Sequence, residues 1–354
     1  MTEKINLTLP RHWNECSISQ LEIISRIMVE QIARVDRYHP FDMQKVKIAC
    51  FFILSEIEVV ENPDESLPLD KQCYLCRRTL SAEKHFGRRR QKEEIFPLYL
   101  WQLNFWLSSQ PKTNDRSSAE YIGAGAGLLD WLENDKGSFL TRFPYPTLRL
   151  RRRDKWLRKK MEFMGVPADM DGFSWKQYRF ATDLMGQYTQ LSNNLIKMQK
   201  MKRFTEEKIA QQIENVVSAR AMFLATIFNR RIDFIDSNTH IRKHDFHYES
   251  NQCSDNAAYF RHFPDYRWQL ILFWWTGMMH TLSRRFPHVF KVQKLDKKQP
   301  STPLEIYTAT TATMQKYAGL TEDQVNNQSY SLVLEHLERL SKENEEMERI
   351  RKSK

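Results

Sequence analysis

A chain of 354 residues with 41% hydrophobic side chains can bury a substantial core, and 28% charged residues support a soluble protein. Its ten glycines and thirteen prolines are few for this length, so turns should be few and elements long, while 21 Phe, 13 Tyr and 9 Trp supply bulky packing. The net charge of +10 suits an anionic surface, nucleic acid or an acidic partner, and five unevenly spread cysteines exclude a secreted disulfide framework and fit reduced thiols.

The opening MTEKINLTLPRHW has no apolar h-region, so no signal peptide is expected. Ser17 with Gln20 forms a capping box, and Leu21, Ile24, Ile27, Met28, Val29 and Ile32 then give one helical face. His39-Pro40 stops that helix, and a second is expected over Phe41–Ile57. The ENPDESLPLD stretch reads as a loop, and the basic segment Lys71–Lys92 follows. The aromatic run IFPLYLWQLNFWL, Ile95–Leu107, reads as a buried helix.

Gly123-Ala-Gly125-Ala-Gly127 lacks the GxGxxG spacing of a phosphate loop and reads as a flexible loop or a close helix approach. The run RLRRRDKWLRKK, Arg149–Lys160, is the strongest electrostatic signal. Its residues Arg149, Arg151, Arg152, Arg153, Lys155 and Arg158 can neutralise phosphates, with Trp156 available to stack on a base.

The centre of the chain, Phe173–Ile232, reads as two long helices joined by a short turn. Ala181, Leu184, Tyr188, Leu191, Leu195 and Met198 recur three and four apart. The pattern resumes after Thr205 at Ile209, Ile213, Val216, Phe223 and Ile227. Leu184, Tyr188, Leu191, Leu195, Ile213, Val216 and Phe223 are the expected partner-binding residues. Downstream, Trp268–Leu282 is shorter than the roughly 20 residues of a membrane span and reads as a core helix. Pro303 should open a helix that stops at Gly319, Thr321 with Gln324 caps the next, and the last begins near Ser331.

The expected fold is therefore an all-α chain, a helical assembly built around a long central helical hairpin. Its regions are 1–112, 113–172, the hairpin 173–235, a His- and aromatic-rich segment 236–300, and C-terminal helices over 301–354. Cys73-x-x-Cys76, with His85 beyond it, has the spacing of half a zinc site, but no second CxxC follows. Asp236, His240, His244 and His247 would share one face if helical, yet the glutamate of HExxH is missing. No nucleophile elbow or kinase signature occurs, so neither catalysis nor a cofactor is expected.

The segments LTLPRHWNECSISQLEIISRIM, FSWKQYRFATDLMGQY and MQKYAGLTEDQVNNQSYSLVLEHLERL resemble the start, middle and close of phage and prophage proteins of gut Bacteroidetes. The resemblance is to tail-assembly proteins that act like chaperones for the tape-measure protein. It implies a non-enzymatic protein of virion morphogenesis, located in the host bacterial cytoplasm. Its partners would be a tape-measure or other tail protein, with no membrane contact. The alternative from the residues alone is a basic nucleic-acid-binding protein acting through Arg149–Lys160.

Overall fold

The computed structural model describes residues 9–34, 41–68, 70–80, 84–85, 88–89, 92–108, 127–133, 139–152, 160–167, 170, 172–201, 204–235, 242–290 and 303–353. The chain packs as two compact units. One comprises Met1–Pro144 with Asp265–Trp274, the other Tyr145–Pro264 with Trp275–Lys354.

In the first unit Ser17 Oγ accepts from the Gln20 amide at 3.2 Å, and Gln20 Oε1 accepts from the Ser17 amide at 2.8 Å. That reciprocal cap starts α1 (Ile18–Ala33), which buries Leu21, Ile24 and Ser25. Asp42 caps α2 (Met43–Leu54), whose Phe51 and Leu54 enter the same core. Three strands follow: β1 (Glu58–Glu61), β2 (Cys73–Leu80) and, after the short pair β3 (Lys84–His85) and β4 (Arg88–Arg89), β5 (Lys92–Tyr99). They form an antiparallel sheet in the order β1-β2-β5, in register from Cys73↔Tyr99 to Leu80↔Lys92. Pro97 is tolerated because β5 is an edge strand, where a missing ladder donor is least damaging.

The expected helix over Ile95–Leu107 is thus corrected: the chain is strand to Tyr99 and only then turns into α3 (Leu100–Leu107). Nor is that segment wholly buried, since Trp101 and Phe105 are 54% and 52% exposed, four residues apart on one side of α3.

Trp13 organises the aromatic part of this core. Its ring meets Trp131 edge-on at 4.9 Å and Phe273 at 4.5 Å, and its Nε1 donates to the Trp131 carbonyl at 3.1 Å. A cation lies close by in the fold. Lys47 on α2, with a side chain 2% exposed, places Nζ 2.9 Å from Asp130 Oδ1 and 2.5 Å from Glu133 Oε1. It also donates to the Leu107 carbonyl at 3.2 Å. Asp130 and Glu133 come from one 3-10 turn, Asp130–Glu133. Gly127 enters that turn at φ +60°, and a Cβ there would lie 2.6 Å from Asp130 Oδ2.

The second unit holds a four-stranded antiparallel sheet, β6 (Thr147–Leu150), β7 (Met161–Met164), β8 (Asn229–Ile235) and β9 (Arg242–His247), in that order. Between β7 and β8 run α4 (Trp175–Lys200) and α5 (Glu206–Ile227), capped by Ser174 and Thr205. These helices make the long hairpin that the spacing of apolar residues predicts. Its end differs, because Phe228 turns extended and Asn229 begins β8, so 229–232 belongs to the sheet rather than to a helix.

After α5 and the sheet come α6 (Cys253–Phe260), α7 (Asp265–Arg285), α8 (Pro303–Ala318), α9 (Glu322–Asn327) and α10 (Tyr330–Ser353). Phe163 of β7 is fully buried against Tyr259 and Phe260 of α6, at 5.4 and 5.0 Å between ring centroids. The start of α4 is tied to that of α10: the Trp175 amide donates to the Gln328 carbonyl, the Tyr330 amide to the Phe173 carbonyl, and Tyr178 stacks on Tyr330 at 5.3 Å.

The all-α expectation is therefore overturned. The protein is mixed α/β, with ten α-helices and antiparallel sheets of three and four strands among the described residues. Strands such as β2 and β8 run over only eight and seven positions, β2 without a regular alternation, and β8 also pairs with β7, which lies before the whole hairpin. No helix among the described residues is long and apolar enough to cross a membrane.

Candidate functional site

Helix α4 is 26 residues long and α5 is 22. Their buried residues gather at one end: Trp175, Tyr178, Ala181 and Met185 on α4, and Ala219 through Ile227 on α5. Between Gly186 and Ser218 none of the described residues is buried. At about 1.5 Å per residue the α4 part of this arm, from Gly186 to Lys200, runs for about 22 Å.

The two helices hold each other through the predicted stripe. Leu184, Tyr188, Leu191, Leu195 and Val216 are half-buried, and Gln212 Nε2 donates to the Leu191 carbonyl at 2.8 Å. Ile196 and Ile213 are 49% and 44% exposed, and Met201 at the tip is also exposed. Phe223, grouped by spacing with the partner-binding residues, is corrected by its burial. It is fully enclosed and meets Trp275 edge-on at 5.2 Å, so no partner can reach it without unfolding α5 from the core.

The arm is also unusual in charge. No charged residue lies between Asp183 and Lys197 on α4, and only Glu214 interrupts Ile209–Ala219 on α5. A solvated helix in a chain with 28% charged residues would carry several. Half-exposed apolar groups set among Gln, Asn and Ser are what the centre of a protein interface presents.

The basic run is divided by the fold. Arg149 lies on β6, its Nη2 3.4 Å from Glu162 Oε1, and Arg231 of β8 holds the other oxygen of that carboxylate at 2.9 Å. The two guanidiniums, Arg231 first, keep Glu162 below the usual carboxylate range. Arg151 is exposed, and Arg152 lies 5.9 Å above the Tyr259 ring. Arg153, Lys155, Trp156 and Arg158 lie outside the described residues.

Arg152 borders a cleft of about 520 Å³ that periodicity alone did not reveal. Ser218, Ala221 and Met222 come from one side of α5. Ser254, Ala257, Ala258 and Arg261 come from α6 and its cap at spacings of three, four and seven, with His262 next to it. That small-residue spacing was the available sequence signal. A second cavity of about 610 Å³ is lined by amides and hydroxyls, among them Ser174, Gln177, Asn229 and Asn327. Gln177 is buried there, donating to the Thr226 carbonyl at 2.7 Å and to Asn229 Oδ1 at 3.1 Å.

Cys73 and Cys76 both lie on β2. Residues three apart on a strand point to opposite faces, so this pair cannot grip one zinc ion, whatever its spacing suggests in a turn. His85 is on β3, paired through the backbone with Arg88. His244 and His247 lie on β9, opposite Asp233 and Arg230, while Asp236 and His240 fall outside the described residues. The shared helical face is therefore absent. Among the described residues no group of three or more His, Cys, Asp or Glu could hold a metal.

Burial pushes the Cys50 thiol up to about 12, and Cys16 and Cys76 to about 11. The thiolate is the reactive form, so at pH 8 Cys73 should label with a maleimide ahead of these three in native protein, and all five alike in urea. Early labelling of Cys50 would contradict the packing. Because the folded values lie above the ordinary 9.0, the stability that these neutral thiols contribute is whole below pH 9 and lost as pH rises through about 11 to about 12. Unfolding monitored by tryptophan fluorescence should accordingly need less urea at pH 10.5 than at pH 8.

Comparison with protein families, curated proteins and solved structures finds no match to this chain.

Proposed function

We propose that this chain is a non-catalytic assembly protein that holds an amphipathic helix of a partner along the α4–α5 arm. One observation carries the reading: in the helical hairpin from Gly186 to Ser218 none of the described residues is buried, and its flanks, 184–196 and 209–219, carry half-exposed apolar groups with Glu214 as their one charge. Two helices leave a groove between them, and a third helix laid in it converts two half-covered stripes into a three-helix core. Ile196 and Ile213 are the exposed anchors such a helix would cover.

The resemblance of the chain's start, centre and close to phage tail-assembly proteins supplies the partner class. A tape-measure protein is a long helical chain with apolar stripes that aggregates when uncovered, and a chaperone acting on it would shield those stripes until tube subunits replace it. The work required is reversible coverage, which needs no catalytic group and no cofactor.

Co-expression with a phage tape-measure protein tests this. The wild-type chain should keep that protein soluble and co-purify with it. Ile196→Glu and Ile213→Glu together should reduce the yield of complex at least tenfold while the variant's own circular dichroism and melting temperature stay unchanged. No complex with the wild-type chain, or an undiminished one with the double variant, would remove the arm from this role.

A further inference from the structure

The cleft between α5 and α6 brings together groups from three separate parts of the second unit. Arg152 follows β6, Arg261 caps α6, and His262 is its neighbour. The Ser218 and Ser254 hydroxyls add donors from the two helices, and no carboxylate is among the described residues lining the space. Glu214 contacts Arg261 from outside that lining, its Oε1 2.5 Å from Nη2. A guanidinium has five N–H donors in a planar fork, so one such contact does not exhaust it. The remaining wall, Ala221, Ala257, Ala258 and Met222, is small and apolar.

We propose that this cleft binds the phosphate of a small phosphomonoester of about mononucleotide size. Two guanidiniums and an imidazole lining one cleft match the charge and the oxygen acceptors of a single phosphate dianion. The alanine and methionine wall gives a flat apolar part of the same ligand somewhere to lie. The volume of about 520 Å³ falls within the roughly 300–1,000 Å³ of small-molecule sites. A nucleic-acid backbone is the weaker match, because tracking it takes a row of cations along several phosphates. Here the described charges converge on one space, and Arg149 is turned to Glu162.

Isothermal titration of the full chain with adenosine 5′-monophosphate, adenosine, inorganic phosphate and a single-stranded oligonucleotide tests the site. The monophosphate should bind, inorganic phosphate should bind at least tenfold more weakly, and adenosine should not bind measurably. Arg152→Gln should weaken the monophosphate at least tenfold. Glu214→Gln, which keeps the Arg261 fork and removes its neighbouring charge, should leave it as tight or tighter.

Equal binding of adenosine and its monophosphate would overturn the phosphate assignment, and equal binding of inorganic phosphate would overturn the assigned size. Oligonucleotide binding without monophosphate binding would replace the proposal with a backbone-tracking surface. No heat with any probe at millimolar concentration would end it. A melting curve for each variant separates lost binding from lost folding.

Discussion

Lys47→Met is expected to lower the unfolding free energy by about 3–5 kcal/mol, the range for removing one partner of a buried charge cluster. The ammonium is enclosed and its three donors find Asp130, Glu133 and the Leu107 carbonyl. Methionine fills a similar volume but takes away the ammonium that Asp130 and Glu133, 12% and 28% exposed, both contact. Against a typical stability of about 5–15 kcal/mol this is a large fraction. Replacing all three charges, with Lys47→Met, Asp130→Asn and Glu133→Gln, should recover most of the loss, since uncharged groups carry a much smaller desolvation penalty. Urea unfolding read by tryptophan fluorescence measures both. A change below about 1 kcal/mol for Lys47→Met would mean that the cluster behaves as a solvated surface pair.

Phe223→Ala should be comparably damaging, at about 3–5 kcal/mol, because it empties a fully enclosed ring site beside Trp275. The same truncation at Leu195, half-exposed on the arm, should cost only about 1 kcal/mol, in proportion to the area it keeps from water. The pair separates core from docking surface within one apolar stripe. Phe223→Leu, which keeps most of the volume, should fold and retain any partner that the arm binds. Loss of the partner in that folded variant would restore Phe223 to the interface. Equal losses of stability from the two alanine variants would show that the arm is packed like the core.

What could be read in the sequence follows from the range of the interactions involved. Helices α4 and α5 were legible because apolar residues recur three and four apart along much of each and Thr205 caps the start of α5, whereas the end of α5 at Ile227 was not. The capping box of Ser17 and Gln20 and that of Thr321 and Gln324 were legible for the same reason. The sheets were not. Cys73 pairs with Tyr99 and Phe163 with Arg230, and a strand of four to eight residues is defined by that distant partner rather than by its own pattern. The aromatic run from Ile95 is the clearest instance, since its first half is held by β2 and its second half coils freely into α3.

The candidate sites divide likewise. The apolar stripe could be read along one helix, but which of its members face solvent depends on α6 and α7, which bury Phe223 and leave Ile213 open. Arg152 stood out within its basic run. Arg261 and His262 did not, because only the packing of α6 on α5 brings them to the same space. The CxxC spacing misled because it presumes a turn, and β2 is extended there.

Helix α7 gives Asp265–Trp274 to one unit and Trp275–Arg285 to the other. Through its first half, Tyr266 supplies the carbonyl that accepts from Ser25 Oγ, Arg267 meets Glu22 at 2.8 Å, and Phe273 closes on Trp13. The first unit is therefore assembled from two stretches of chain with nearly the whole of the second unit's sheet and arm encoded between them. During synthesis its core must wait, with the face of α1 uncovered, until residue 274 has left the ribosome. A fragment ending at Pro144 would stay in that waiting state for good.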